Sequence, residues 1–183
     1  MNRIQRPYSL LKPAELTIGP TTVIEEPTIW DLGLLKDHGP LVIDFETTGL
    51  DVIDPGFQVV GMGFADSSCP NGVYFSFKNN PNKSFIKGLL AKLCRRQLIA
   101  HNVCYDAAVL ERLCRDYEMP STLSPDWPWY LDTISLYFHL SQHEWQGQSY
   151  SLKNAQVDVL GWDSRGDEEL VSWLKLNGFS KNE

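Results

Sequence analysis

The chain is short of the features that identify zinc-binding, secreted and membrane proteins. Its 183 residues include four cysteines, with no CxxC pair and no clustering with histidine. This spacing excludes a recognisable zinc site and favours reduced, mostly buried thiols, as in a cytosolic protein. No apolar run reaches the roughly 18 residues of a membrane-spanning helix, and MNRIQRPYSLLKP at the start does not resemble a signal peptide. We therefore expect a cytoplasmic protein without membrane contact.

Positive charge is also scarce. Sixteen lysine and arginine residues face 23 aspartate and glutamate residues, for a net charge of −7. This balance argues against a broad basic surface for nucleic acid. It leaves a nuclease open, because an acidic site can bind metal ions that then face phosphates. One basic stretch could follow a phosphate backbone, although a solvated helix face is the simpler interpretation: Lys78, Lys83, Lys87, Lys92, Arg95 and Arg96.

Two acidic residues stand at the end of an apolar run. Asp44 and Glu46 follow Leu41-Val42-Ile43 and are two residues apart. Residues i and i+2 of a strand point to the same face, so both carboxylates project together and repel each other. A divalent cation held by hard oxygen ligands explains the pair. The alternative is a solvated strand end that runs into a Thr-Gly turn.

The pattern along the chain predicts an α/β fold with a mixed sheet, flanked by helices. Four prolines within residues 1–27 predict an irregular N-terminal arm, followed by one domain over 28–183. Three antiparallel strands are expected first and a parallel strand later, with Asn71-Gly72 separating the second strand from the third. The predicted strands are Leu41–Glu46, Phe57–Ala65, Val73–Phe77 and Gln97–Ala100. The predicted helices are Ile29–Asp37 (capped by Thr28), Ser84–Cys94, Tyr105–Tyr117, Asp132–Leu140, Leu152–Leu160 and Glu168–Asn177.

A further carboxylate follows the fourth predicted strand. The segment His101-Asn102-Val103-Cys104-Tyr105-Asp106 carries an acid into the first turn of a helix. An aspartate there has an ordinary explanation, because the helix dipole stabilises it. However, neighbouring parallel strands bring their carboxyl ends together. Asp106 is therefore expected near Asp44 and Glu46, and three carboxylates can hold two divalent ions about 3.5–4 Å apart.

These motifs resemble a known family. Asp44-Phe45-Glu46-Thr47 is similar to the first motif of the DEDD superfamily of 3′→5′ exonucleases, which have a ribonuclease H-like fold. The His101–Asp106 segment resembles the second motif in proofreading domains of family A DNA polymerases, where Asn and Tyr stand four and one residues before the metal-binding Asp. Leu131-Asp132-Thr133 and Tyr150-Ser151-Leu152-Lys153 resemble later segments of bacteriophage-type members. The resemblance covers roughly residues 28–178.

The resemblance implies a two-metal site that uses Mg²⁺ or Mn²⁺. Asp44 would bridge both ions, while Glu46 would bind one and Asp106 the other. The substrate would be the 3′ end of single-stranded DNA, and a C-terminal polymerase domain would follow in a longer parent chain. The setting implied is the cytoplasm of a bacterium or of a phage-infected host.

The resemblance also implies substrate contacts. Thr47 and Leu50 would touch the terminal nucleotide, with Leu50 as an apolar wedge against the base. Asn102 would bind the substrate or hold the turn before the helix. Tyr105 would pack beside a base or join the core, and the core is the simpler role. Asp132 is expected to cap its helix rather than bind metal.

The family's third motif, Tyr-x-x-x-Asp, is not recognisable. Tyr150 to Asn154 has the spacing but ends in Asn, and the later acids lack a Tyr or His partner: Asp158, Asp163 and Asp167. We therefore expect a domain cut short before this motif, incomplete at its C-terminus and with weak or no activity of its own. The alternatives are a ribonuclease H-like module that binds nucleic acid or a protein without cleaving, and a nuclease whose last acid comes from elsewhere.

Overall fold

The computed structural model describes residues 21–36, 38–67, 69–121, 129–140 and 150–156. These residues fall into two compact units, one within Gly19–Leu136 and the other within Tyr137–Ser180. The sheet and the candidate site belong to the first unit. In the second unit, the ring of Tyr150 packs edge-on against those of Tyr137 and Phe138, with centroids 5.7 and 5.3 Å apart.

The described part of the chain contains six strands: β1 Thr22–Ile24, β2 Pro40–Thr47, β3 Val59–Asp66, β4 Cys69–Ser76, β5 Gln97–Ala100 and β6 Trp129–Asp132. They form one six-stranded mixed sheet in the order β1-β4-β3-β2-β5-β6. The central strands β2, β3 and β4 are antiparallel neighbours, whereas β5 pairs parallel to β2 and β6 parallel to β5. The predicted α/β fold with a mixed sheet is therefore confirmed.

Strict alternation along β2 sets which side chains enter the core. Leu41, Ile43 and Phe45 are buried, whereas Val42 and Asp44 between them are exposed. Period-2 alternation of this kind places one face of a strand against the core and the other away from it. The same core contains buried side chains of the helices Lys83–Leu93 and Val103–Asp116. These two helices therefore cover the face of the sheet opposite Asp44.

The helices agree with the predicted ones in the middle of the chain. Asn82 caps α1, which covers Lys83–Leu93, by accepting a hydrogen bond from the Ser84 backbone N–H at 2.8 Å. The ring of Phe85 in α1 packs edge-on against Phe75 of β4, with centroids 5.2 Å apart. The helices are α1 Lys83–Leu93, α2 Val103–Asp116, α3 Thr133–Leu140 and α4 Leu152–Ala155. The predicted helix Glu168–Asn177 lies outside the described residues.

The predicted helix Ile29–Asp37 is wrong in length and type. A short 3-10 helix covers Asp31–Leu34 instead. The backbone N–H and the hydroxyl of Thr28 both donate to the Asp31 carboxylate, each at 2.7 Å. The Asp31 side chain thus closes the first turn on Thr28, which reverses the capping direction that the sequence suggested.

The prediction of a turn at Asn71-Gly72 is also wrong. Asp66 pairs with Cys69, so the chain reverses earlier and Asn71-Gly72 lies inside β4, where the register with β3 shifts. Gly72 has a φ of +74°. An irregularity in a strand can use the same left-handed conformation that a hairpin turn needs.

Two edge strands were not predicted. Thr22–Ile24, within the predicted irregular arm, pairs parallel to β4, and Trp129–Asp132 pairs parallel to β5. Both are short, with three and four residues. Segments of this length show too few alternations for a pattern to be recognised.

The cysteines are free, as predicted, but the prediction that most of them are buried is wrong. Cys114 is buried, Cys69 and Cys94 are half-buried, and Cys104 is exposed. Burial raises the pKa of the Cys114 thiol to about 12, which keeps it protonated. None of the helices in the described part of the chain is both long and apolar enough to cross a membrane.

Candidate active site

Asp44 and Glu46 share one face of β2, as predicted. In the register with β3, Asp44 lies opposite Gly63 and Glu46 opposite Gly61, while Gly63 lies opposite Tyr74 of β4. Directly opposed residues in antiparallel strands lie on the same face of the sheet. The two carboxylates therefore stand beside a strip of sheet that has no side chains on β3.

Asp106 joins this end of β2 from the first turn of α2. Its side chain is 2% exposed, and its Oδ1 has no hydrogen-bond partner among the residues described. Burial, together with repulsion from Asp44, raises the pKa of Asp106 to about 7. Hydrogen bonds from the backbone N–H groups of Phe45 and Asp106 itself act in the opposite direction. Asp106 and Asp44 therefore lie close enough for their negative charges to repel each other.

Asp44 is affected in the same way, although it keeps contact with solvent. Loss of surrounding water raises the pKa of its carboxyl group, and attraction to His101 partly offsets this effect. A partly desolvated acid beside a buried one is costly when both are ionised, because each destabilises the charge of the other. A divalent cation between them would remove this cost.

The turn between β5 and α2 is fixed by the end of β6. Asn102 adopts a left-handed conformation, with φ 69° and ψ 61°, and its backbone N–H donates to the Asp132 carboxylate at 3.0 Å. The hydroxyl of Thr133 lies 2.9 Å from Nδ1 of His101. The Asn102 side chain is exposed, so its predicted contact with substrate remains a prediction.

Asp132 has the structural role that the sequence predicted. One of its carboxylate oxygens accepts the backbone N–H of Ile134 at 3.0 Å, and the other accepts the Ser135 hydroxyl at 3.3 Å. These bonds cap the start of α3. The same side chain binds Asn102, so a single aspartate orients both turns beside the site.

Tyr105 packs against the core, and its hydroxyl also holds the turn after β2. The hydroxyl donates to the Gly49 carbonyl oxygen at 2.9 Å and shares a hydrogen bond with the Thr47 hydroxyl. The Thr47 hydroxyl itself lies 2.8 Å from the same carbonyl oxygen. The turn leads to Leu50, whose side chain is 86% exposed, as a contact residue for substrate would need to be.

Tyr74 also lies beside the carboxylates, although it was not among the predicted site residues. Burial, with repulsion from Glu46 and Asp44, raises the pKa of Tyr74 to about 12, so the phenol stays neutral beside the carboxylates. A Cβ on Gly61 would overlap its hydroxyl group. The only signal in the sequence was the spacing of Gly61 and Gly63 within an apolar strand, which indicates a close approach by another group.

Within the ranges that the structure describes, no three His, Cys, Asp or Glu side chains lie close enough together to hold a metal ion. The predicted set of Asp44, Glu46 and Asp106 therefore stays a prediction. Asp44 and Asp106 nevertheless fit a divalent cation, because both are acids whose charges interact and one has an unpartnered buried oxygen. Hard oxygen ligands of this kind are the ones that Mg²⁺ prefers.

The predicted basic stretch is not one surface. Arg96 is 2% exposed and its guanidinium pairs with Asp66 at 3.2 Å, so a solvated position is wrong for this residue. Lys92 donates to the Leu35 carbonyl oxygen at 2.9 Å.

The later acids considered for a third motif lie outside the described residues: Asp158, Asp163 and Asp167.

Comparison with solved structures shows the fold. The Aedes aegypti Nibbler EXO domain is 11% identical, with a TM-score of 0.61 over 88% of this chain and 78% of that one. Trypanosoma brucei RNase D in complex with GMP is 14% identical, with a TM-score of 0.59 over 87% and 47%. A structure described as the apo form of a nuclease is 18% identical, with a TM-score of 0.55 over 81% and 64%.

The chain thus spans less than two thirds of two of these three structures. No curated protein matches its sequence. The sequence pattern of the RNase_H_2 family, described as RNase_H superfamily, matches residues 41–172. This range includes β2, β5 and α2, and with them all three acids of the candidate site. The chain therefore belongs to the RNase_H superfamily.

Proposed function

We propose that the chain is a 3′→5′ exonuclease domain that hydrolyses the terminal phosphodiester of single-stranded nucleic acid with the help of divalent metal ions. One observation carries the proposal: a buried acid with an unpartnered oxygen, Asp106, interacts with Asp44 at the end of the central strand. Two such acids favour a bound cation. Membership of a superfamily that contains nucleases supports hydrolysis as the reaction.

The side chains have distinct roles in this proposal. Asp44 and Asp106 would hold the cations, and Glu46, on the same face as Asp44, would complete the donor set. Divalent ions bound there would activate water for attack near neutral pH and would neutralise charge on the phosphate. Tyr74 is kept neutral beside the carboxylates by its surroundings, so it would add no charge to the site. Thr47, Leu50 and Asn102 line the approach of the terminal nucleotide.

The resemblance to polymerase proofreading domains makes single-stranded DNA the first substrate to test. It also implies a proofreading role beside a polymerase domain, and we propose a cytoplasmic location. The similar folds described above include an RNase D, which makes RNA the substrate to compare. The alternative is a module that binds without cleaving. It is favoured by the absence, in the part of the chain that the structure describes, of three adjacent metal-binding side chains.

The test is a single-turnover assay with 5′-labelled single-stranded DNA, and RNA of the same sequence, in Mg²⁺ or Mn²⁺. Protein in excess over the oligonucleotide allows slow cleavage to be measured. We expect progressive shortening from the 3′ end, abolished by EDTA. Asp44→Asn is expected to slow cleavage by at least about a hundredfold, because removal even of groups that only support a metal ligand costs 10–100-fold.

Asp31→Asn is the matched control, because it removes a carboxylate that only closes the 3-10 helix. It should cleave at the rate of the unaltered chain. Cleavage from the 5′ end, or cleavage unaffected by Asp44→Asn, would contradict the proposal. Binding of the oligonucleotide without any cleavage would favour the non-cleaving module.

A further inference from the structure

The segment between β2 and β3 is a closed loop with an apolar tip. The Thr48 backbone N–H donates to the Gln58 carbonyl oxygen at 3.0 Å, and the Gln58 N–H donates to the Thr48 hydroxyl at 3.0 Å. These bonds fix the two ends of the loop. Leu50 and Ile53 lie within it and are 86% and 80% exposed. Two large apolar side chains so exposed on one loop are typical of a contact surface.

The loop is stiffened from within by its two aspartates. Oδ1 of Asp51 accepts the backbone N–H of Ile53 at 3.1 Å, and Oδ1 of Asp54 accepts that of Gly56 at 2.6 Å. The Phe57 N–H also donates to the Asp54 carbonyl oxygen at 3.0 Å. Aspartates that bind the backbone two residues on are turn-forming groups. The apolar tip therefore has little freedom to fold back onto the protein.

Arg112 of α2 holds the loop from outside. Its Nη1 donates to the carbonyl oxygens of Val52 and Asp54 at 2.9 and 3.3 Å, and its Nε pairs with Asp116 at 2.7 Å. The guanidinium also lies 5.9 Å from the centre of the Phe57 ring. Tyr105, seven residues earlier on α2, holds the start of the loop at Gly49. One helix thus fixes the loop and carries Asp106.

This inference rests on the proposed function. We propose that Ile53 is a second base-contacting residue beside Leu50, and that Arg112 is the positioning residue that keeps both side chains facing the unpaired 3′ end. The loop sequence Gly49–Phe57 contains two aspartates and no lysine or arginine. It is therefore unsuited to bind phosphates, and apolar contact with the bases is the interaction that remains.

The test compares two single-stranded oligonucleotides, one with normal bases and one with abasic sites at the last two positions. Cleavage is titrated at single turnover, which separates the half-saturating protein concentration from the maximal rate. Ile53→Ser is expected to raise the half-saturating concentration about fivefold on the normal substrate, since burial of part of an aliphatic side chain is lost. The maximal rate should stay within about twofold, and the abasic substrate should show no effect.

Arg112→Gln should raise the half-saturating protein concentration on the normal substrate and reduce the preference for normal over abasic ends. Arg112→Lys should restore part of that preference. A purely structural role would instead affect both substrates equally. Trp30→Ser, a change at an 87% exposed residue outside the loop, is the matched control and should match the unaltered chain.

Two failures are distinguishable. Suppose that the unaltered chain cleaves from the 3′ end, but that Ile53→Ser changes the half-saturating concentration equally, or not at all, on the normal and abasic substrates. The loop assignment is then wrong and the proposed function stands. If the unaltered chain cleaves neither substrate, the proposed function fails and the loop assignment fails with it.

Discussion

Asp106 shows a direct conflict between folding and the proposed chemistry, because its burial disfavours the ionised carboxylate that cation binding would need. It is 2% exposed, and its pKa of about 7 means that the folded chain binds a proton more tightly than the unfolded chain does. An acid that only capped a helix would have its charge stabilised there. The raised pKa indicates a site that is strained when ionised and relieved by a proton or a cation.

The first prediction concerns the pH dependence of stability in EDTA. The pKa of Asp106 rises from 3.8 in the unfolded chain to about 7 in the folded one. Between these values only the folded chain keeps the proton, so the free energy of unfolding falls as pH rises, by up to about 4 kcal/mol from this group. Asp106→Asn should therefore be more stable than the unaltered chain at pH 8, and the difference should shrink towards pH 4.

Urea unfolding at several pH values measures this prediction. Asp31→Asn is the control of opposite sign, because hydrogen bonds from Thr28 lower the pKa of Asp31 in the folded chain. Its carboxylate stabilises the fold above pH 4, and that contribution is lost as pH falls. A pH-independent difference between Asp106→Asn and the unaltered chain would contradict the assigned pKa.

At the scale of elements, the pairing of β3 with its neighbours defines the strip beside the carboxylates. Gly61 and Gly63 occupy equivalent positions on the same face, but their surroundings differ. A Cβ at position 61 would overlap the Tyr74 hydroxyl and lie 2.7 Å from the Phe75 carbonyl oxygen, whereas one at position 63 has nothing nearer than the Asp44 carbonyl oxygen at 3.8 Å. The close approach of Tyr74 and the β4 backbone therefore requires a glycine at position 61 but not at position 63.

The second prediction follows from this difference. Gly61→Ala should lower the free energy of unfolding by about 1–3 kcal/mol, because the Cβ overpacks against Tyr74 and the backbone of β4. Gly63→Ala is the matched change and should be neutral or slightly stabilising, since alanine loses less chain entropy on folding. Equal effects in urea unfolding would show that Tyr74 does not lie across Gly61.

The elements that the sequence predicted well have long, regular patterns. The apolar run Leu41-Val42-Ile43 before Asp44 predicted β2, and the segment that follows Asn102 opens a long amphipathic helix, so the elements that carry Asp44 and Asp106 were predicted. The edge strands were too short to recognise. The positions of Tyr74 and Arg96 depend on which strands become neighbours, and local sequence does not contain that information.

Across the sheet unit as a whole, Arg96 ties together segments that are far apart in sequence. Its guanidinium donates to the carbonyl oxygens of Lys36, Gly39 and Pro40, which lead into β2, and pairs with Asp66 at the end of β3. The two charged side chains are 2% and 6% exposed. Removal of Arg96 would leave the buried Asp66 carboxylate with the Cys69 backbone N–H at 3.0 Å but without its opposite charge.

The third prediction is that Arg96→Met lowers the free energy of unfolding by about 3–5 kcal/mol, which is the usual cost of breaking a buried ion pair from one side. The double change Arg96→Met with Asp66→Asn should recover part of this loss, because no buried charge remains. Urea unfolding of the single and double variants provides the measurement. A double variant as unstable as the sum of the two single ones would show that the pair is not coupled.

The ladder between β2 and β5 stops at Val42 and Ile99, while β2 itself continues to Thr47. The open edge beyond that point gives its Phe45 N–H to the Asp106 carboxylate. This donor belongs to the peptide backbone, so a side-chain replacement at position 45 leaves it in place, and proline alone would delete it. Evolution can therefore replace the side chain at position 45, and change the packing of the core there, without removing the hydrogen bond to Asp106.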